Sequence, residues 1–477
     1  MGPQPDRTEG SVVVSEADAR PGRAGAGLRQ TPEEGIAGLA PRQVAARLLG
    51  AVVDARTPLD ALTDAEHGHP QFRALSARDR SLVRAILATA LRYRVTIGKL
   101  ISRRLDRPLP QNARSLEHIL HVAAAQMLFL DVPDRAAVDM AVAHAKSDPR
   151  TVRFAALVNA VLRALGRVKE RALPAELKAN DDAPDWFSAR LKAAYGEERT
   201  AGILAAHRAE PPTDFTVKTD AEGWAQRFGG IVLPTGSVRV ARLPGPVQDL
   251  PGFAEGEWWV QDAAAALPAR LLGDVRGLSV ADLCAAPGGK TAQLAAAGAR
   301  VTAIDLSRSR LRRLSANLDR LKLAADVVEA DLLAWDPPAL FDAVLLDAPC
   351  SSTGTVRRHP DVTWTKGPGD IAKLADLQRR LLERAVGMVK PGGLIVFSNC
   401  SLDPEEGEDL RAAFLSADRR VVADPIRPAE FPGIAPFVTA EGTLRTTPAD
   451  LVQETASLSG MDGFFAARFR RVGPELR

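Results

Sequence analysis

The sequence predicts an all-α N-terminal domain followed by an α/β domain built on a doubly wound, mostly parallel sheet. Three observations predict it. Between Pro41 and about Gly166 apolar residues recur at spacings of three and four. From Leu278 onward, short apolar runs alternate with amphipathic stretches, as strand–helix crossovers require. The first of those runs, Ser279 to Leu283, feeds straight into a turn of small residues, Ala285-Ala286-Pro287-Gly288-Gly289, and then into a helix opened by Lys290 and Thr291. A chain of 477 residues with 46% apolar side chains is long enough for two or three domains with real cores.

Taken in order, residues 1–38 are rich in Gly, Pro, Arg and Glu and read as a disordered tail. Residues 39–166 read as the helical domain. Val44, Leu48, Leu49 and Val52 form one stripe, Leu82, Ile86, Leu91 and Tyr93 a second, and Ile119, Val122, Met127 and Leu130 a third. The turn Asp131-Val132-Pro133-Asp134 separates two helices, and Val152 to Leu165 closes the bundle. Residues 167–183 are polar with scattered Pro and Ala and read as a linker. Residues 184–250 read as a small α+β module facing the substrate, with a helix through Tyr195-Gly196 and a strand at Phe215 to Val217. Residues 251–473 form the sheet domain. Its strands are expected near 279–283, 300–305, 326–329, 342–346 and 394–398, with a closing strand in Gly463 to Phe469. Trp258-Trp259 is expected to pack on that sheet.

Net charge is only +3, but residues 41–170 carry 21 Lys/Arg against 12 Asp/Glu. Ten basic residues, Arg73, Arg78, Arg80, Arg84, Arg92, Arg94, Lys99, Arg103, Arg104 and Arg107, face only Asp79 and Asp106 in that stretch. Such a run is either a solvated helix face or a phosphate-contacting surface. Three cysteines make no disulfide framework and point to a reducing, cytoplasmic setting. No long apolar run predicts a membrane span, and the first residues lack the apolar core of a signal peptide.

The chemistry gathers at the predicted strand ends. The Cys284-Ala285-Ala286-Pro287-Gly288-Gly289-Lys290 turn is not a Walker loop and not a G-x-G-x-x-G fingerprint. Asp305 ends the second strand, 17 residues after Gly288, where an acid holds ribose hydroxyls in doubly wound folds. Asp331 follows the third strand and faces the adenine edge; Asp347 ends the fourth. Three acids on one edge with a glycine loop, and no phosphate loop or metal cluster, fit a nucleoside cofactor without a phosphate chain, such as S-adenosylmethionine. Cys350 and Cys400 follow the fourth and fifth strands, and so lie on neighbouring strand ends. Each alone reads as a packed thiol; two beside a methyl-donor pocket are harder to dismiss. A zinc pair lacks further ligands, so no metal is expected.

SARDRSLVRAILATALRYR, AAQMLFLDVPDRAAVDMAV and RFAALVNAVLR resemble the NusB-like RNA-binding helical domain. LCAAPGGKT, LLDAPCSSTGTVRRHPD, GGLIVFSNCSLDPEEGE and DGFFAARF resemble the cytosine-C5 RNA methyltransferases of the Fmu/Sun (RsmB) type. Together the resemblance spans about residues 41–471. It departs at Asn399, where many members have Thr, and at Thr216-Val217-Lys218, where Arg-x-Asn is common. It implies a Rossmann-like class I methyltransferase fold, S-adenosylmethionine as cofactor, and small-subunit (16S) ribosomal RNA, free or in an early particle, as partner of a monomeric enzyme. It assigns the attacking thiolate to Cys400 and assistance in product release to Cys350. Asp347 is placed to hold the base edge, and Lys290 to lower a thiol pKa or orient the base, or else simply to sit on a helix surface. Cys284 to Lys290, Asp305, Asp331 and Asp347 would hold the cofactor. Arg357, Arg358 and His359 would meet RNA.

Two other readings stay open at this stage. One is a DNA cytosine methyltransferase with Cys350 as nucleophile. The other is a non-catalytic RNA-binding or assembly factor.

Overall fold

A computed structural model describes residues 36–110 and 112–473. The predicted tail lies almost wholly outside the described residues. From Gly38 onward the chain packs as one unit.

The front of that unit is helical, as predicted. Its main helices are Leu39–Val53, Ala77–Arg92, Arg94–Ser102, Arg114–Phe129, Asp134–Ser147 and Ala155–Ala179. The stripes read from the sequence form its core: Leu48, Leu49, Val52, Ile86, Ile119, Val122 and Met127 are buried together with Val158, Leu162 and Leu165. Ser76 caps the second helix by accepting from the Asp79 N–H at 3.1 Å.

Two sequence expectations change here. The 167–183 stretch is not an extended connector, because the last helix runs on to Ala179 with Pro174 inside it. Its polar residues have partners that local sequence does not show. Glu176 is buried and pairs with Arg103 at 2.6 Å and with Lys99 at 3.8 Å. The basic stripe is likewise only partly a free surface. Arg84 donates to the Thr63 carbonyl, Arg94 pairs with Glu117 at 3.0 Å, and Arg92 reaches out of the bundle to the carbonyls of His207 and Arg357. Arg73, Arg78 and Arg107 remain exposed.

A long helix, Asp185–Arg208, is broken at Gly196, whose φ of 74° interrupts the helical run. A small antiparallel sheet follows: β1 (Thr213–Val217), β2 (Ile231–Val232), β3 (Val238–Val240) and β4 (Trp258–Val260), in the order β2-β3-β1-β4. The Trp-Trp stretch therefore belongs to this sheet, while Trp259 packs, as expected, on the main sheet domain, with Ala303 and Leu314 among its buried neighbours. Trp258 is fully buried against Phe215 and Phe228, and its Nε1 donates to the Pro251 carbonyl at 2.9 Å.

The main sheet contains β5 (Ser279–Leu283), β6 (Arg300–Asp305), β7 (Asp326–Glu329), β8 (Phe341–Asp347), β9 (Val389–Asn399), β10 (Val421–Ala423), β11 (Leu444–Thr446) and β12 (Phe464–Arg471). The order is β10-β12-β9-β8-β5-β6-β7, with β11 also on β12. Pairings from β7 to β9 are parallel, and β12 runs antiparallel against β9. Buried apolar runs such as Val344, Leu345 and Leu346 are what a strand covered on both faces needs. In this register Asp347 lies beside Ser398, so the ends of β8 and β9 are level. That alignment brings the Cys350 and Cys400 turns to one edge.

Candidate active site at the carboxyl edge of the sheet

The glycine loop is shaped by close contacts. Gly288 has a φ of 101°, in the left-handed region, and a Cβ there would lie 2.8 Å from the Leu314 side chain. Gly289 leads into the helix Gly289–Ala296 and packs against Gln261. Gln261 is held in turn by Thr216, Trp259 and Gln293, each at 2.8 Å.

A cavity of about 370 Å³ opens between this loop and the small sheet. Trp259, Gln261, Asp282, the stretch Ala285 to Lys290 and Asp347 are among its walls. Of the residues singled out from the sequence, it brings together Ala285, Ala286, Pro287, Gly288, Gly289, Lys290 and Asp347. It does not bring Cys284, Asp305 or Asp331 to the wall. Cys284 turns away at a φ of 59°, packs on the sheet core, and burial pushes its thiol pKa up. Asp305 sits behind the loop and accepts from the N–H groups of Ser307 at 2.8 Å and Ala286 at 3.2 Å. Asp331 is exposed and accepts from the Leu333 N–H at 2.9 Å, a turn-forming contact.

Lys290 is buried. Its Nζ donates to Asp347 Oδ2 at 2.7 Å and lies 5.0 Å from the centre of the Phe464 ring. The other Asp347 oxygen accepts from Ser398 Oγ at 2.9 Å. Ser398 is two residues before Cys400, and Asp347 is three before Cys350. One carboxylate thus joins the cavity to both thiol turns. The sulfur atoms of Cys350 and Cys400 are 3.4 Å apart. The hydrogen bond to Cys400, and then burial, raise the pKa of the Cys350 thiol well above its ordinary value.

Gly354 explains how the turns come so close. Its N–H donates to the Cys400 carbonyl at 2.8 Å, and a Cβ there would meet the Gly463 carbonyl oxygen at 2.0 Å. Beneath the thiols, Ser351 Oγ meets Ser401 Oγ at 3.1 Å and Thr353 Oγ1 at 3.3 Å. Sequence reasoning missed Ser398, Ser351 and this network. The signal was present, since each of these two thiols is followed by a serine.

The RNA role expected of Arg357 and Arg358 is not what the geometry offers. Arg357 is 2% exposed; its guanidinium joins Asp262 and Asp462, which Arg358 also contacts. Burial alone would raise the Asp262 pKa, but the two guanidiniums together hold it well below the usual range. His359 faces Asp60 of the helical front at 3.5 Å. These side chains join parts of the molecule to one another.

The cavity suits a sulfonium nucleoside. Its small-residue loop offers backbone rather than side chains. Two acids, Asp282 and Asp347, stand in its wall, and one buried Asp282 oxygen has no hydrogen-bond partner and is free to accept from a ligand. Burial pushes the Asp282 carboxyl up to about 7. Among the described residues, no group of His, Cys, Asp and Glu is arranged to hold a metal. No helix there is long and apolar enough to cross a membrane.

A parallel sheet carrying this loop and an acid-lined nucleoside cavity defines an S-adenosylmethionine-dependent methyltransferase. Residues 270–470 match the model of the 16S rRNA methyltransferase RsmB/F family, and residues 39–167 match the NusB family. Ribosomal RNA small subunit methyltransferase B of Klebsiella pneumoniae is 36% identical over 76% of this chain and 89% of its own length. The protein of that name from Vibrio cholerae is 35% identical over the same shares. Among solved structures, PH0851 superposes with a TM-score of 0.69 over 90% of this chain and 99% of its own, at 23% identity, which speaks to the fold. The chain belongs to the 16S rRNA methyltransferase RsmB/F family and is an S-adenosylmethionine-dependent rRNA methyltransferase.

Proposed function

We propose that the chain methylates C5 of a specific cytosine in small-subunit ribosomal RNA through a transient bond between Cys400 and C6. The observation that carries this reading is the 3.4 Å approach of Cys350 and Cys400 sulfurs on strand ends tied to the cavity by Asp347. C5 of cytosine is a poor nucleophile. Addition of the Cys400 thiolate to C6 moves electron density to C5, as covalent catalysis requires. At that point the pair holds one proton, on Cys350. S-adenosylmethionine, when bound, supplies the electrophilic methyl group that C5 acquires.

Asp347 holds the base edge as charge develops at N3, where a proton taken from solvent on addition is returned to solvent on release. Lys290 fixes the Asp347 carboxylate in that orientation. Release then breaks the C5–H and C6–S bonds. The C5 proton passes to the Cys350 sulfur, which has given its own proton to solvent. The electron pair of the C6–S bond returns to the Cys400 sulfur, and the thiol pair is restored. Ala285 to Gly289 would cradle the cofactor, with Asp305 fixing the loop from behind. The helical front, residues 39–166, would bind RNA phosphates with its exposed Arg73, Arg78 and Arg107.

Incubation with labelled S-adenosylmethionine and protein-free small-subunit rRNA tests the reading. Cys400→Ala is expected to abolish both transfer and adduct. Cys350→Ala is expected to accumulate a protein–RNA adduct that survives denaturation. The reverse pattern, with adduct in Cys400→Ala and none in Cys350→Ala, would make Cys350 the nucleophile and overturn the assignment.

A further inference from the structure

Below the two thiols lies a carboxyl that the steps above do not use. Glu406 is completely buried. Its Oε1 accepts from the Ser351 backbone N–H at 2.9 Å and from Gln378 Nε2 at 2.8 Å, and its Oε2 accepts from the Ser351 hydroxyl. These donors are all neutral. A buried carboxyl held by neutral donors is costly compared with an apolar side chain of similar size. Stability alone therefore does not account for it. Its backbone carbonyl also accepts from Asn399 Nδ2 at 2.7 Å, and Asn399 donates to Gln378 Oε1 at 3.0 Å. Glu406 thus touches the residue after Cys350 and the residue before Cys400.

We propose that Glu406 is a positioning residue for product release: it clamps the Cys350 turn against the Cys400 turn and keeps the Cys350 sulfur beside an adduct on Cys400. The inference rests on the thiol reading above. The asymmetry of the contacts gives it direction. The carboxyl holds the Cys350 turn directly, through both polar groups of Ser351. It reaches the Cys400 turn through its backbone carbonyl, which a side-chain substitution leaves in place, and through the Ser351 hydroxyl, which meets Ser401 Oγ at 3.1 Å. The Cys400 turn also has a tie of its own, since Ser401 N–H donates to Asn399 Oδ1 at 3.0 Å. Removing the carboxyl frees the Cys350 turn first. Attack should survive and release should fail.

The test uses the full chain, S-adenosylmethionine and protein-free small-subunit rRNA, scoring turnover and denaturation-resistant adduct. Glu406→Ala is expected to accumulate adduct as Cys350→Ala does. Its kcat should fall about 100-fold, the scale of a small misplacement of a reacting group, with KM for S-adenosylmethionine within about twofold of the parent. Glu406→Gln keeps an oxygen for the Ser351 N–H and should restore turnover without adduct. A merely destabilised protein would lose adduct and turnover together, so accumulation is a readout that a structural role does not produce. Wild-type turnover in Glu406→Ala, or a folded variant with neither adduct nor turnover, overturns the proposal. If Glu406→Ala does not fold, Ser351→Ala carries the test. It should give a weaker adduct band, and absence of that band overturns the proposal. Cys350→Ala separates the two levels. No adduct there sinks the thiol reading itself, whereas adduct there but none in Glu406→Ala sinks the role of Glu406 alone.

Discussion

At the scale of single residues, Lys290 carries the most weight for its size. The side chain opens a helix, which by sequence alone is an ordinary surface position. Its partner, Asp347, is 57 residues away, and its ring contact, Phe464, comes from the far end of the chain. The burial of Lys290 was therefore not legible, because both causes are tertiary. The thiols were legible, because strand ends in a parallel sheet share one edge and their spacing put both there. A pair this enclosed is sensitive to the loss of one member. With side-chain exposures of 9% for Lys290 and 29% for Asp347, Lys290→Met should destabilise the chain by about 2 kcal/mol, less than a fully buried pair would cost. It should also slow turnover by releasing the Asp347 carboxylate. Denaturant midpoints of Lys290→Met, Asp347→Asn and the double variant give the coupling, expected at about 1 kcal/mol or more. Additive effects would show that the two groups do not act as a pair.

At the scale of elements, the strands and their order follow from local pattern, while the polar connections do not. β5, β6, β8 and β9 were legible as short apolar runs, because a covered strand must be apolar, while β7 is an exposed edge strand with only Val327 and Val328 to mark it. Arg357-Arg358-His359 was misread for the opposite reason. Two guanidiniums next to a histidine look like a phosphate site, but their acids, Asp262 and Asp462, stand 95 and 105 residues away. The 167–183 stretch was misread in the same way, since the helix continuation depends on Arg103 and Lys99 meeting Glu176. The glycine turn is the element where local and tertiary demands agree. Its left-handed φ and the contact with Leu314 both exclude a side chain at Gly288. Gly288→Ala should weaken S-adenosylmethionine binding by about tenfold or more, because the loop must shift where backbone faces the ligand. Calorimetric titration of cofactor into the variant checks this, with circular dichroism confirming the fold. Unchanged affinity would mean that the cofactor does not rely on this turn.

At the scale of the whole molecule, the helical front is fastened to the sheet domain through the segment that follows Cys350. Arg92 donates to the Arg357 carbonyl at 2.8 Å, Trp364 Nε1 donates to the Leu91 carbonyl at 3.1 Å, and the Leu59 N–H donates to Asp361 at 2.9 Å. His207 lies in this junction. It is buried, its Nε2 has no partner, its ring stacks on Phe187, and its carbonyl accepts from Arg92. Burial, aided by Arg357 and Arg92, lowers its pKa to about 3. The unfolded chain takes up this proton near pH 6.5. Between those values the unfolded state binds a proton that the folded state excludes. The contribution of neutral His207 is therefore full above about pH 6.5 and is lost as pH falls toward 3, at about 1.4 kcal/mol per pH unit. Other titrating groups act on the parent and on a variant alike, so the difference between them isolates this residue. His207→Phe keeps the stacking on Phe187 and removes the proton. Denaturant midpoints at pH 7, 6 and 5 should show the variant gaining on the parent by roughly that slope. Parallel stabilities across the range would mean that the ring takes up its proton within the fold, and that the junction tolerates a charge there.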